Sequence, residues 1–324
     1  MKKFVIIGLL ILLLVMVVFT CLGIGITDIS YRFLSGLIDR TESIIIYQVR
    51  LPRILGALLV GLGLASAGAV LQVILRNNLA EPYTLGISGG AALGVTMLLL
   101  VSPLTKITFL TMPLFGFCGA FLSVALIYLI TSRHRFSVES LILSGVVISF
   151  ICSSLVLLIF SISRPTEIQS VLFFLMGNFS AINYSLLKIV SIPIIICILI
   201  LVVLAREIDV LSLGDEKASH LGVSPLFLRR LLFLITSVIT GCCVAVSGMV
   251  GFVGLMMPHI MRNIVGPSSR LLIISSALSG AIFLIICDTL ARVIIAPAEL
   301  PVGVITGIVG GIFFLGIIIY NNRI

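Results

Sequence analysis

The uncharged stretch LLFLITSVITGCCVAVSGMVGFVGLMMPHIM, from Leu231 to Met261, decides the fold. A helix of about 20 apolar residues crosses a bilayer, so this stretch is too long for one crossing and short for two. Ser247, Gly248 and Gly251 lie in its middle, where small residues permit a break or a turn. The stretch therefore predicts a membrane-embedded segment that crosses either once or twice.

The composition of the whole chain supports a membrane protein. Of 324 residues, 60% are hydrophobic and 10% are charged, and the mean hydropathy is +1.36. Soluble domains have about 45–50% apolar and about 25% charged residues. The formal net charge is +8, but Lys2–Lys3 and Arg229–Arg230 are the longest basic runs. Runs this short exclude a phosphate-tracking surface and hence nucleic-acid binding.

Apolar stretches of about 20 residues recur along the rest of the chain, separated by short charged or turn-rich breaks. They predict an all-α integral membrane protein with about ten transmembrane helices in one domain, residues 1–324. We interpret the first stretch as a retained helix, because it is longer than a signal-peptide core and has no cleavage site. The predicted spans are 4–26, 54–75, 85–104, 108–131, 140–161, 186–205, 230–248, 250–265, 271–292 and 302–320.

The distribution of basic residues indicates the orientation. With ten spans and a cytosolic N-terminus, 12 of the 20 Lys and Arg residues are cytosolic and 8 are external. A single crossing by residues 231–261 would divide them 10 against 10. The positive-inside rule therefore favours two crossings there, with both termini in the cytosol.

Three arginines run against this charge bias, because Arg50, Arg53 and Arg292 fall at predicted external helix ends. One interpretation is snorkelling, with the stem in lipid and the head in water. The other is a set of external docking residues for the carboxylates of a partner, which guanidinium groups suit. Asp288 and Glu299 lie close enough in sequence to pair with Arg292 locally.

A polar cytosolic segment, residues 213–223, predicts a short amphipathic helix. Acids in its first turn suit the helix dipole, an apolar stripe follows, and Gly222 can end it. Such a helix is either a surface element or a docking element for a partner. The residues that carry this prediction are Leu213, Gly214, Asp215, Glu216, Ala218, Leu221 and Gly222.

Small residues recur on one face of two predicted helices. Gly145, Ser149 and Ser153 are four apart, and Gly303 and Thr306 open the last helix. Such faces either pack helices closely or line a pathway. Within the second span, Gln72 predicts an interhelical hydrogen bond, and residues 76–86 predict a tight cytosolic corner.

The residues offer no chemistry of catalysis. No Ser/His/Asp or Cys/His constellation, metal-ligand spacing or phosphate-binding G-x-x-x-x-G-K-[ST] motif occurs. No carboxylate lies deep in a predicted span, except Asp288 near an end, and ion-coupled carriers usually need one. These observations argue against an intramembrane enzyme and a secondary carrier, and any ATPase must be another chain.

The motifs, taken in order, resemble the FecCD family of ABC importer permeases, which serve iron–siderophores, haem and cobalamin. The resemblance covers residue 46 to the C-terminus and also fits the N-terminal helix. It implies a type II importer bundle of ten helices that dimerises around a central pathway in the bacterial cytoplasmic membrane. The matching stretches are R-L-P-R at 50–53, R-N-x-L-A-E-P at 76–82, L-G-x-x-x-A-x-x-L-G-V at 213–223, G-F-V-G-L-M-M-P-H-I-x-R at 251–262 and A-E-L-P-V-G at 298–303.

The resemblance also implies residue roles. Arg50, Arg53 and Arg292 match arginines that receive glutamates of a substrate-binding protein, and residues 213–223 match the helix that couples to the ATPase. Positions matching Asn77, Leu79, Val138 and Glu139 form the cytoplasmic gate. The sequence departs from the family at Asn78, where proline is usual, and at Val138 and Glu139, where the vitamin B12 relative has small hydroxyl residues.

The sequence thus predicts the permease subunit of an ATP-driven iron–siderophore importer, with haem or cobalamin as the alternative cargo. The chain performs no covalent chemistry and binds no cofactor or metal, since ATP and magnesium belong to the partner ATPase. The expected partners are a second copy of the chain in preference to a different permease, two ATP-binding subunits, an extracytoplasmic substrate-binding protein and membrane lipid. An ion-coupled secondary carrier is the alternative class.

Overall fold

The computed structural model describes residues 2–25, 39–101, 111–134 and 136–321 of the chain. Within these ranges the protein is entirely helical, with thirteen helices and one 3₁₀ turn, Pro82–Leu85. The helices are α1 Lys2–Gly23, α2 Arg40–Ile74, α3 Ile87–Val101, α4 Thr111–Arg133, α5 Val138–Ile162, α6 Pro165–Leu175, α7 Tyr184–Val203, α8 Ala205–Ser212, α9 Asp215–His220, α10 Pro225–Ser247, α11 Val253–Val265, α12 Ser269–Val293 and α13 Val302–Asn321.

Each of the ten predicted spans overlaps one of these helices. Eight helices are long and apolar enough to cross a membrane, namely α1, α2, α4, α5, α7, α10, α12 and α13. The apolar helix α3 is shorter, and α11 has 13 residues. The prediction of an all-α bundle with about ten membrane helices is therefore confirmed.

Helices α2, α10 and α12 form the core of the bundle. Between 72% and 83% of their apolar windows is buried within the chain, against 17–33% for the other long helices. Small residues allow this packing, because a Cβ at Gly61 would collide with the backbone of Gly280, and one at Gly68 with that of Gly254. The outer helices expose large aliphatic side chains, as lipid-facing helices do.

Helix α2 begins well before residue 54, where the predicted span starts. It runs from Arg40 and contains a π-helical turn, Ile45–Arg50, just ahead of Pro52. Pro52 lacks an N–H, and a π turn is one of the adjustments by which a helix accommodates such a gap. Residues 40–53, which precede the predicted span 54–75, are therefore helical, and residues 26–38 lie outside the described residues.

The uncharged stretch from Leu231 to Met261 is divided into two unequal helices. Helix α10 ends at Ser247, and α11 covers about 20 Å, which is less than the roughly 30 Å hydrocarbon core. The prediction of a break is confirmed, but the second helix is only a partial crossing. Its start at Gly254 packs against Gly68, in the interior part of α2, and Arg262 lies beside Asn78 beyond the end of α2.

Candidate functional site

Buried charges cluster at one end of the bundle, which we call the Arg53 end. The Arg53 guanidinium donates two hydrogen bonds to Glu299, at 2.9 and 2.8 Å, and one to Asp288 at 3.0 Å. Asp288 also pairs with Arg292 at 3.3 Å. The expected local pairing of Asp288 with Arg292 is confirmed, whereas Glu299 binds Arg53.

All three arginines predicted to dock a partner are buried. Arg50, Arg53 and Arg292 each expose 4% of their surface. Arg50 donates to the carbonyl oxygens of Leu22 and Gly23 at 2.8 and 2.7 Å, which fastens α1 to α2. The interpretation that these arginines snorkel into water is wrong, since all three are buried against oxygen atoms of the chain.

A second group of polar contacts lies at the break between α10 and α11. Here residues 81–83 meet residues 250–252 inside the bundle. The Glu81 carboxylate accepts a hydrogen bond from the Phe252 N–H, at the N-terminal end of α11, and the Tyr83 hydroxyl accepts one from the Val250 N–H at 3.2 Å. These bonds satisfy backbone donors that the break leaves without helical partners. Residues 76–86 turn tightly between α2 and α3, as predicted, and the part from Glu81 to Tyr83 also supports the break.

Glu81 is a candidate functional residue that sequence reasoning missed. It lies in the connection between two membrane helices, and burial raises the pKa of its carboxyl to about 7. It borders a cavity of about 330 Å³ together with Tyr83, Met249 and Gly303. Its place in the R-N-x-L-A-E-P stretch was visible, but nothing in the sequence indicates that the chain turns back into the bundle there.

The residues predicted to line a pathway have different surroundings. Gly303 borders the cavity beside Glu81, and its pathway role stays a prediction. Thr306 is fully buried and donates its hydroxyl to the Gly303 carbonyl at 3.2 Å, so its assignment as a lining residue is wrong for this conformation.

The three α5 residues that were predicted to line a pathway differ from one another in their contacts. Gly145 packs directly against Leu85, and the Ser149 backbone packs against Gly89, so both serve helix packing. Ser153 is exposed on the surface of the chain, and its pathway role stays a prediction.

The predicted gate residues lie in two places. The Asn77 side chain accepts a hydrogen bond from the Leu79 N–H at 2.9 Å, and this turn leaves Leu79 60% exposed. Val138 and Glu139 occupy the first turn of α5, after Ser137 caps the helix by accepting from the Ser140 N–H. Glu139 is exposed and Val138 is half-buried.

The predicted amphipathic helix of segment 213–223 exists as α9, Asp215–His220, at the opposite end of the bundle, which we call the Arg229 end. Gly222 follows it with a φ of 81°, and the Val223 N–H donates back to the Ala218 carbonyl, which closes the helix as predicted. Ala218 faces inward and is fully buried. Leu213 and Leu221 expose 55% and 60% of their surfaces.

Asp215 fixes this helix to the core. Its carboxylate accepts from Arg76, just after α2, at 2.5 Å and from Arg229, in α10, at 2.8 and 3.0 Å. Its neighbour Glu216 is exposed. The apolar stripe is therefore split, with Ala218 anchoring the helix and two leucines left at the surface.

Across the described ranges, no group of three His, Cys, Asp or Glu side chains is arranged to hold a metal ion. The His259 ring packs edge-on against Phe313 and Phe314. The predicted interhelical bonds of Gln72 are present, to the Leu255 carbonyl at 3.3 Å and from Arg262 at 3.0 Å. These polar groups hold helices together.

Comparison with known proteins identifies relatives over nearly the whole chain. The FecCD transport family model matches residues 8–320. The Fe(3+)-citrate import system permease protein YfmE of Bacillus subtilis is 35% identical and covers 99% of this chain and 97% of its own. The hemin transport system permease protein HmuU of Yersinia pestis is 34% identical, with 98% and 96% covered.

A solved structure agrees over the same extent. It is described as an inward-facing conformation of a metal-chelate type ABC transporter. It superposes with a TM-score of 0.89 at 35% identity, and the match covers 98% of this chain and 99% of the other.

Proposed function

Because the chain belongs to the FecCD transport family, we propose that it is the membrane-spanning permease of a type II ABC importer that carries an iron–siderophore complex. The observation that carries the proposal is the family match over residues 8–320, on a bundle whose buried polar groups join its helices. The chain binds no cofactor of its own in this proposal. ATP and magnesium act on a separate ATPase.

An iron chelate is the favoured cargo because one relative imports Fe(3+)-citrate and the structural neighbour belongs to a metal-chelate type transporter. Haem is the second candidate, supported by the hemin permease of Yersinia pestis at almost equal identity. Cargo choice in such a system falls largely to the substrate-binding protein.

Transport by reconstituted vesicles tests the proposal. Proteoliposomes containing the permease, its ATPase and its binding protein should take up a ⁵⁵Fe-labelled siderophore when ATP is supplied on the ATPase side. Uptake should stop without ATP or without the ATPase, and should be unaffected by collapse of proton and sodium gradients. Uptake by the permease alone on an ion gradient would establish the secondary carrier instead. ATP-driven uptake of haem, and not of the siderophore, would show that haem is the cargo.

We propose that the Arg53 end receives carboxylates of the substrate-binding protein. Arg53 is bound to Glu299, whose side chain is 35% exposed, so a partner carboxylate would reach Arg53 by displacing Glu299. Charge reversal by R50E or R292E should weaken binding of that protein at least tenfold, with R164E as the control at an exposed arginine that is predicted to lie on the same side. Unchanged affinity for a folded R50E and R292E permease would contradict this role.

We further propose that α9 is the ATPase-coupling element, through the exposed Leu213 and Leu221 and the exposed acid Glu216. L221A and E216Q should reduce copurification of the ATPase, while L157A, at a 68% exposed position in α5, should leave it unchanged. Equal copurification of the ATPase with all three variants would show that α9 is not part of the ATPase interface. The gate role of Asn77, Leu79, Val138 and Glu139 belongs to the same proposal.

The proposed assembly contains two copies of this chain, two ATPase subunits and one binding protein on the external face. It resides in the bacterial cytoplasmic membrane. The outer helices expose many large aliphatic side chains, which suits contact with lipid or with a second copy. Mass measurement of the detergent-purified complex distinguishes a homodimer from a pair of different permeases.

A further inference from the structure

A polar cavity of about 310 Å³ opens at the Arg229 end of the bundle, between the ends of α2 and α11 and the start of α12. The binding-protein, coupling and gate roles leave it unused. Its lining combines two guanidinium groups, two amides and two hydroxyls with the apolar surface of a valine, a proline and a leucine. The lining residues are Gln72, Val73, Arg76, Asn78, Ser212, Arg262, Pro267, Ser269 and Leu272.

The Arg262 guanidinium has amide oxygens as partners in this cavity and no carboxylate. It donates to Asn78 and, at 3.0 Å, to Gln72. None of the ion pairs found among the described residues includes it. Arginine carries five N–H donors, so two hydrogen bonds leave three for a ligand. A half-buried cation with this remaining capacity favours an anion.

The other charged groups around the cavity are, on balance, also positive. Arg76 also borders the cavity, and its one carboxylate partner, Asp215, is shared with Arg229. The other nearby acid is Asp209, which accepts from the Ser269 N–H at 2.7 Å and so is already engaged at the start of α12. Three guanidinium groups therefore stand against two occupied carboxylates.

We propose that this cavity binds a phosphate group. Guanidinium forks flanked by hydroxyl and amide groups are the usual protein chemistry for phosphate, since they supply charge and directed donors together. The cavity lies where spanning helices end, so the phosphate belongs either to the headgroup of a membrane phospholipid or to free phosphate from solution. Both sources share the same contacts.

Thermal unfolding of the full-length permease in detergent tests the site. The probes are phosphatidylglycerol, a phosphate-free monoglucosyl diacylglycerol, and inorganic phosphate against chloride at equal ionic strength. We expect phosphatidylglycerol or inorganic phosphate to raise the melting temperature above that given by its phosphate-free counterpart. A response to the lipid alone assigns a headgroup, and a response to inorganic phosphate assigns free phosphate.

Variants link that response to the cavity. R262Q should lower the apparent affinity for the stabilising probe at least tenfold, since charged hydrogen bonds contribute about 1.5–3 kcal/mol. R270Q makes the same charge change at an exposed arginine of α12 outside the lining and should behave as wild type. If R262Q does not fold, S269D adds a negative charge at a first-turn helix position and should abolish the response. An undiminished response in R262Q or S269D, or no phosphate-specific response in wild type, overturns the proposal.

Discussion

The Arg53 end shows how unequal two acids in one ion-pair cluster can be. Asp288 is 1% exposed and contacts both Arg53 and Arg292, whereas Glu299 is 35% exposed and contacts Arg53. Removing one member of a buried pair leaves an uncompensated charge, while an exposed pair contributes little. The stability of this end therefore depends mainly on Asp288.

Two neutral substitutions should separate these contributions. D288N should destabilise the folded protein by about 3–5 kcal/mol, because two buried arginines lose their shared carboxylate. E299Q should cost less than about 1 kcal/mol. Thermal unfolding of both variants in the same detergent measures the difference. Equal losses of stability would show that the burial of Asp288 is not what matters.

Glu81 predicts a pH effect. Its carboxyl pKa, about 7 in the folded protein, is above the ordinary value of 4.5 because of burial. Between these two values the folded protein holds a proton that the unfolded chain has lost, so stability should fall as pH rises from about 4.5 to about 7. E81Q keeps an acceptor for the Phe252 N–H and should lack this component of the fall, which amounts to ~3 kcal/mol at most.

Unfolding curves of wild type and E81Q at pH 5 and pH 8 test the effect, because other titrating groups cancel in the comparison. Parallel stability profiles for the two proteins would assign Glu81 an ordinary pKa. E81A serves as a second variant. It should be destabilised at both pH values, since the Phe252 N–H then loses its acceptor.

At the scale of helices, α2 and α11 cross in close contact. A methyl group at Gly68 would collide with the Gly254 backbone, whereas nothing lies within 4 Å of a Cβ at Gly307 in α13. G68A should therefore destabilise the protein by about 1–3 kcal/mol. G307A should be neutral or slightly stabilising, since alanine favours a helix by up to ~1 kcal/mol.

Melting temperatures of the two glycine variants check this expectation. A G68A protein as stable as G307A would mean that α11 can move away from α2 at no cost. The break before α11 would then be flexible.

The elements also show where sequence reasoning reaches its limit. Helix existence followed from apolar length, and the end of α9 followed from Gly222, because a φ of 81° suits glycine. The short length of α11 did not follow, because apolar composition cannot tell a full crossing from a partial one. The contact of Glu81 and Tyr83 with the break was missed because it depends on hydrogen bonds to residues far along the chain.

For the whole molecule, the orientation is the prediction still to be measured. Both termini should be cytosolic, because this arrangement places 12 of 20 basic residues inside. A green fluorescent protein fused after Ile324 should fluoresce, and alkaline phosphatase fused there should be inactive. Fusions after Lys106, in a predicted external loop, should give the reverse pattern. Active phosphatase at the C-terminus would reverse the assignment of the two ends.

Composition and motif order were enough to predict the bundle and its family, since lipid exposure imposes apolar spans on any sequence of this fold. The state of the candidate docking arginines could not be predicted. Arg53 meets Glu299 and Asp288 only after three distant segments pack together, and the spacing of residues along the chain does not encode that meeting.

The attachment of α9 has a mechanical consequence. Asp215 joins this helix to Arg76 and Arg229, which belong to the ends of the two most buried long helices, α2 and α10. We therefore expect a force applied to α9 to reach α2 and α10 first and the lipid-facing helices afterwards. The central helices would then carry the motion, and the outer helices would follow it.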